Sequence, residues 1–126
     1  MLKYGLEMDK ILLICPDLAM IDNLAFVLQH SGFLTVSTAE SKEALAEISR
    51  NSPDIVVMRE NSHRLNGDEL CIRIRELSDV PIIVLGQEQE EMAGVEFLEM
   101  GADVYLPYPL SLRELLARVR SLLRRT

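Results

Sequence analysis

The chain has little of what would set it apart from ordinary globular proteins. No apolar run approaches the ~18–20 residues that cross a bilayer. The opening stretch MLKYGLEMDKILLIC holds only a short apolar segment, Ile11 to Cys15, with no small-residue cleavage site after it. A soluble, cytoplasmic protein without membrane contact is therefore expected. Cysteine is scarce. Cys15 and Cys71 are too few and too far apart for a zinc site, and a disulfide framework is foreign to a reducing compartment, so both are expected to be buried thiols. The two histidines, His30 and His63, lack a matching Cys or carboxylate spacing and support neither a metal site nor a catalytic dyad. A glycine-rich phosphate loop, a G-x-S-x-G elbow and a Cys–His nucleophile pair are all missing. No cofactor, no metal and no enzymatic activity are expected. The six methionines are scattered and read as packing residues. Positive charge is also short: a net charge of −7 argues against nucleic-acid binding by this domain itself, because phosphate neutralisation needs clustered cations. Only Arg113, Arg118, Arg120, Arg124 and Arg125 gather, near the C-terminus.

What is present fits one domain. At 126 residues the chain can bury one real core, and 48% hydrophobic with 26% charged residues is a globular balance. Five apolar runs recur, Lys10–Cys15, Leu34–Thr38, Ile55–Met58, Pro81–Leu85 and Val104–Leu106. KILLIC, DIVVM and PIIVL are apolar throughout instead of alternating, which suits strands of a parallel sheet covered on both faces. Amphipathic stretches separate them. Asp17–Ser31 opens on an N-cap residue, repeats Ile21, Leu24, Ala25 and Leu28, and meets Gly32. Ser41–Asn51 places Ala44, Leu45 and Ile48 on one face, and Gly67–Leu77 does so with Leu70, Ile74 and Leu77. Glu88–Met100 is weaker, interrupted by Gly94, with Met92, Val95 and Leu98 giving a partial stripe. Ser111–Arg125 repeats Leu112, Leu115, Leu116, Val119, Leu122 and Leu123. Five β-then-α units predict an α/β, doubly wound, five-stranded parallel sheet flanked by five helices, with residues 1–9 as an N-terminal extension and 10–125 as the core. Ligands of such sheets bind beyond the carboxyl ends of the strands, which directs attention to Cys15–Asp17, Arg59–Asn61, Gly86–Gln87 and Pro107–Pro109.

The fragments KILLICPD, SPDIVVM, NGDELCIRIRE, PIIVLG and GADVYLPYPL, in this order and spacing across almost the whole chain, resemble the receiver domain of bacterial response regulators. The tail SLRELLARVRSLLRRT is especially similar to receivers of the OmpR/PhoB class, in which a winged-helix DNA-binding domain follows a short linker. The resemblance implies a flavodoxin-like fold with strand order 2-1-3-4-5. It also implies a site: an acidic pair holding Mg²⁺ after the first strand, a phosphoacceptor Asp ending the third, a Thr or Ser after the fourth, and a Lys before a Pro after the fifth.

Laid onto this chain, those positions carry other residues. The acidic pair falls on Cys15 and Pro16, or on Pro16 and Asp17 one residue later. The acceptor falls on Arg59, the Thr/Ser on Gly86 and the Lys on Tyr108. A guanidinium cannot take a phosphoryl group from a histidine kinase and repels the cation, so the losses belong together. The expected arrangement is Arg59 where metal and acceptor would sit, paired with Asp17 or Glu60, or else Arg59 turned to solvent. Glu60 is not expected to replace the acceptor, since neighbouring strand side chains project to opposite faces. Asp54, at the opposite end of that strand, reads as a turn residue. Tyr105 matches the family's switch aromatic, and Tyr108–Pro109 is expected to be cis.

The resemblance also implies a symmetric homodimer through the fourth helix, fifth strand and fifth helix. Asp103, Glu114, Arg118 and Arg125 match charged positions of that face, while Gly94 and Val104 replace charged ones. The expected function is a phosphorylation-independent receiver whose dimerisation or partner binding controls a DNA-binding output, either attached in a longer regulator or separate. The alternatives are phosphorylation at a non-standard residue, or a small-molecule sensor with Tyr108, Arg59 and Gln87 lining the pocket.

Overall fold

A strand that is apolar at every position needs a cover on each side, and the chain supplies one with two helical layers. The computed structural model describes residues 8–62, 65–86 and 91–125, with the backbone alone at 61, 62, 65, 66, 68 and 91–93. Strands β1 (Lys10–Ile14), β2 (Leu34–Thr38), β3 (Ile55–Arg59), β4 (Ile82–Leu85) and β5 (Val104–Leu106) form one sheet in the order β2-β1-β3-β4-β5, with every pairing parallel. Helices α1 (Leu18–His30), α2 (Ser41–Asn51), α3 (Gly67–Leu77), α4 (Glu91–Glu99) and α5 (Leu112–Arg124) fill the connections. This is the fold class and strand order expected above.

Alternation of side chains along each strand divides the interior into two cores. Ile11 and Leu13 of β1 pack with Leu24 and Leu28 of α1 and with Leu115 and Val119 of α5. Leu12 and Ile14 face the other way, onto Ala44 and Ile48 of α2, Leu70 and Ile74 of α3, and Phe97 of α4. Capping fixes where two helices begin. The Asp17 carboxylate accepts from the Met20 N–H and the Ser111 hydroxyl from the Glu114 N–H, each worth about 1 kcal/mol.

Some expectations need correction. Leu77 ends α3 and is 55% exposed, and Leu112 opens α5 at 37% exposed. In α4 the expected stripe is rotated: Val95 and Leu98 are about half exposed, whereas Phe97 is buried. The cause is Gly94, whose missing side chain lets the Tyr105 ring lie against the helix and draws Phe97, three residues on, to the same face. A two-residue ribbon that no sequence pattern announces, Asn61–Ser62 paired antiparallel with Leu65–Asn66, leads into α3. Asp9, assigned to the extension, already continues the sheet, since its carbonyl accepts from the Leu34 N–H. His63, Gln87, Glu88 and the Met92 side chain lie outside the described residues.

Candidate functional site

The carboxyl ends of β1 and β3 adjoin, since Ile14 is the register partner of Met58, and the side chains just beyond them meet. β1 stops at Ile14, Cys15 is still held by a hydrogen bond from its N–H to the Thr38 carbonyl, and Pro16 carries the chain to Asp17 at the start of α1. Arg59 ends β3 and turns toward α1. Its Nη1 lies 3.5 Å from Asp17 Oδ2, while the other carboxylate oxygen of Asp17 caps the helix. The pairing is with Asp17 and not with Glu60. The guanidinium carbon stands 6.0 Å from the centre of the Tyr108 ring, and Arg59 Nε is buried without an acceptor. Tyr108 comes from the loop after β5, where the Tyr108–Pro109 bond is cis. Its hydroxyl donates to Met20 Sδ at 3.0 Å, Arg59 Nη1 reaches the same sulfur at 3.8 Å, and the Cys15 thiol lies 3.6 Å from it. A cavity of about 460 Å³ opens beside these groups, walled by Leu24, Val27, Pro109 and Leu110.

Glu60 belongs to a second arrangement, on the α4 side of the sheet. The strand has ended before it, its N–H donates to the Leu85 carbonyl, and its carboxylate accepts a short hydrogen bond from the Tyr105 hydroxyl. The Tyr105 ring stacks on Phe97 with centroids 5.9 Å apart. Gly86 makes room for it: a Cβ at that position would lie 2.1 Å from the Tyr105 hydroxyl oxygen. The sequence marked Arg59, Gly86, Tyr105 and Tyr108 separately, but the structure divides them into two groups, Arg59 with Tyr108 and Gly86 with Tyr105. Met20, which sequence reading left among scattered methionines, joins the first group. Its place three residues after the N-cap Asp17 was the available signal.

A family model described as the response regulator receiver domain matches residues 11–120. The chain belongs to this family. The receiver is 36% identical over 118 residues to the sensory transduction protein RegX3 of Mycolicibacterium smegmatis, covering 94% of this chain and 52% of that protein. It is 41% identical over 118 residues to the response regulator MprA of Mycobacterium sp. strain KMS, covering 93% of this chain and 51% of the relative. It thus spans about half the length of the curated relatives it matches. Among solved structures, a two-component response regulator from Clostridium difficile superposes with a TM-score of 0.88 at 30% identity, covering 94% of this chain and 98% of that one.

In this receiver the remaining marked residues lie apart from both groups. Asp103 accepts from the Ile82 N–H at 2.8 Å and pairs with Arg75 at 3.4 Å. Glu114 and Arg118 pair along α5 at 3.6 Å, both about half exposed, and Arg125 is exposed at its end. Asp54 accepts from the Lys10 N–H at 2.7 Å, tying the start of β3 to β1. His30 is exposed at the end of α1, its ring against Phe26. Among the described residues no group of three or more His, Cys, Asp or Glu side chains is placed to hold a metal ion, and no helix is long and apolar enough to cross a membrane.

Burial in this site pushes the Tyr108 phenol above its ordinary value of 10.0, Arg59 opposes the rise, and the neighbouring Cys15 and Asp17 side chains add to it. The neutral phenol is therefore the form the fold favours. Its contribution to stability is complete below pH 10.0 and is lost as pH climbs through the raised value. An absorbance titration should show a phenol ionising above pH 10.0, and Tyr108→Phe should delete that component.

Proposed function

We propose that this receiver is a phosphorylation-independent signalling module that controls an output by protein contact and catalyses no reaction. The observation that carries the reading is Arg59 at the carboxyl end of β3, ion-paired to Asp17, where the family resemblance assigns the acceptor aspartate. The donor set does not suit Mg²⁺. Hard anionic oxygens are required, and the groups present are one carboxylate already engaged, one thiol and a guanidinium. Glu60 is a poor substitute acceptor, because its carboxylate is taken up by the Tyr105 hydroxyl. Tyr105 in turn fills the space beside Gly86, which favours one fixed position over a switching one.

A homodimer through α4, β5 and α5 remains part of the proposal. Val95 and Leu98 supply exposed apolar surface on α4, and the Glu114–Arg118 pair supplies exposed charge on α5. Asp103 contributes less than expected, because Arg75 and the Ile82 N–H already engage it. The half of the relatives' length beyond this chain is where the proposal places a DNA-binding output domain. A cytoplasmic setting goes with that role. A second reading, a small-molecule sensor, draws its support from the cavity of about 460 Å³ beside Arg59 and Tyr108, a volume within the range of ligand sites.

The test is to expose the purified domain to Mg²⁺ with acetyl phosphate, and separately with beryllofluoride, following intact mass and the amide signals of residues 59–61 and 103–109. Neither an adduct nor signal movement is expected. A Mg²⁺-dependent adduct would overturn the proposal and make Glu60 the first residue to replace.

A further inference from the structure

Three donors converge on one thioether in this receiver. Tyr108 Oη, Arg59 Nη1 and the Cys15 thiol lie 3.0, 3.8 and 3.6 Å from Met20 Sδ. A thioether is a weak acceptor, whereas a phenol and a guanidinium are strong donors, and Arg59 Nε nearby is buried with no acceptor. The site is short of one good acceptor atom. Met20 is also reachable, since it is partly exposed and lines the cavity of about 460 Å³.

The geometry points to Met20 as an oxidation site, in which the sulfoxide oxygen becomes a stronger acceptor than the sulfur for Tyr108 and for Arg59, whose Nε has none. The oxidant class is a small peroxide. The sulfur lone pair attacks one peroxide oxygen, the O–O bond breaks as the S–O bond forms, and the departing hydroxide takes up the proton and leaves as water. Sulfur loses two electrons and the peroxide gains them, and methionine sulfoxide reductases with thiol reductant reverse the step. A sulfoxide is polar and ordinarily disrupts an apolar packing site. Here it enters a cluster of donors instead, so the modification adds hydrogen bonds to the groups joining α1, β3 and the β5–α5 loop. Its role as a signal input rests on the proposal that phosphorylation is closed to this receiver, but the oxidation chemistry does not.

The contrast with other methionines sets the experiment. Met58 is fully buried, and Met8 is 42% exposed. The whole chain is treated with graded hydrogen peroxide, gain of oxygen is located by peptide mass mapping, and urea midpoints are compared for wild type, Met20→Leu and Tyr108→Phe. Met20 sulfoxide should form while Met58 stays reduced, and the Arg59 and Tyr108 NMR signals should move and return after enzymatic reduction. The oxidised wild type should keep its midpoint, whereas oxidised Tyr108→Phe should lose stability relative to its own reduced form. Met20→Leu should show none of the signal movement. The inference is overturned if Met20 remains reduced once Met8 is fully converted, or if oxidation lowers the midpoint of wild type and Tyr108→Phe equally. The phosphodonor assay fails or succeeds independently: an adduct there removes the phosphorylation-independent reading and leaves the peroxide result standing.

Discussion

Gly86→Ala is expected to destabilise this receiver by about 2 kcal/mol, within the ~1–3 kcal/mol typical of overpacking, and to expel Tyr105 from its slot. An added Cβ would stand 2.1 Å from the Tyr105 hydroxyl oxygen and 2.4 Å from the ring carbon that bears it. Gly86 itself is pinned, because its N–H donates to the Leu106 carbonyl at 2.8 Å. The ring must therefore yield. In yielding it gives up the hydrogen bond to Glu60 and the stack on Phe97. The decisive measurement is a double-mutant cycle by urea denaturation with Tyr105→Ala, in which the cost of Gly86→Ala should largely vanish. An equal cost in both backgrounds would show that the alanine strains the backbone at 86 and that the slot is irrelevant. Ring NMR signals of Tyr105 give a second readout, moving toward those of an exposed tyrosine in Gly86→Ala.

Arg75→Ala should cost more, about 3 kcal/mol, from the loss of several charge-assisted hydrogen bonds of ~1.5–3 kcal/mol each, discounted for partial exposure. Its Nη1 donates to the carbonyls of Ser78 and Val80 at 3.0 and 2.9 Å, and its Nη2 and Nε donate to the carbonyl of Gly101 at 2.8 and 3.2 Å. One guanidinium thus gathers the α3–β4 connection and the α4–β5 turn, with Asp103 beside it at 3.4 Å. A lysine has the charge without the planar fork, so Arg75→Lys should recover only part of the loss. Urea midpoints of the three proteins check the order wild type, Arg75→Lys, Arg75→Ala.

Legibility in the sequence followed the physics that each residue expresses locally. β1, β3 and β4 could be read because burial on both faces leaves nearly continuous apolar runs, α1 because it begins at a side chain able to cap it, and α5 because its leucines repeat at helical spacing. α4 was misread because its orientation is set by a contact between Gly94 and Tyr105, eleven residues apart, and a residue that acts by lacking a side chain leaves no periodic mark. The ribbon that pairs Asn61–Ser62 with Leu65–Asn66 is too short for alternation to show. At the candidate site, the identities of Arg59, Gly86 and Tyr108 were legible through the family resemblance. Their partners were not: Arg59 meets Asp17 while Glu60, its chain neighbour, turns to Tyr105 on the other side of the sheet, a division set by contacts distant in sequence. Arg75, reaching three loop carbonyls, reads in the sequence as one more charge on a helix face.

Lineages enter a slot like the one at Gly86 more easily than they leave it. Once Tyr105 occupies the space that a side chain at 86 would need, every residue except glycine at that position collides with it, so no larger residue can settle there until Tyr105 has been displaced or replaced. Descendants of this receiver are thus expected to hold glycine at 86 and an aromatic at 105 together, a paired inheritance that works as a ratchet.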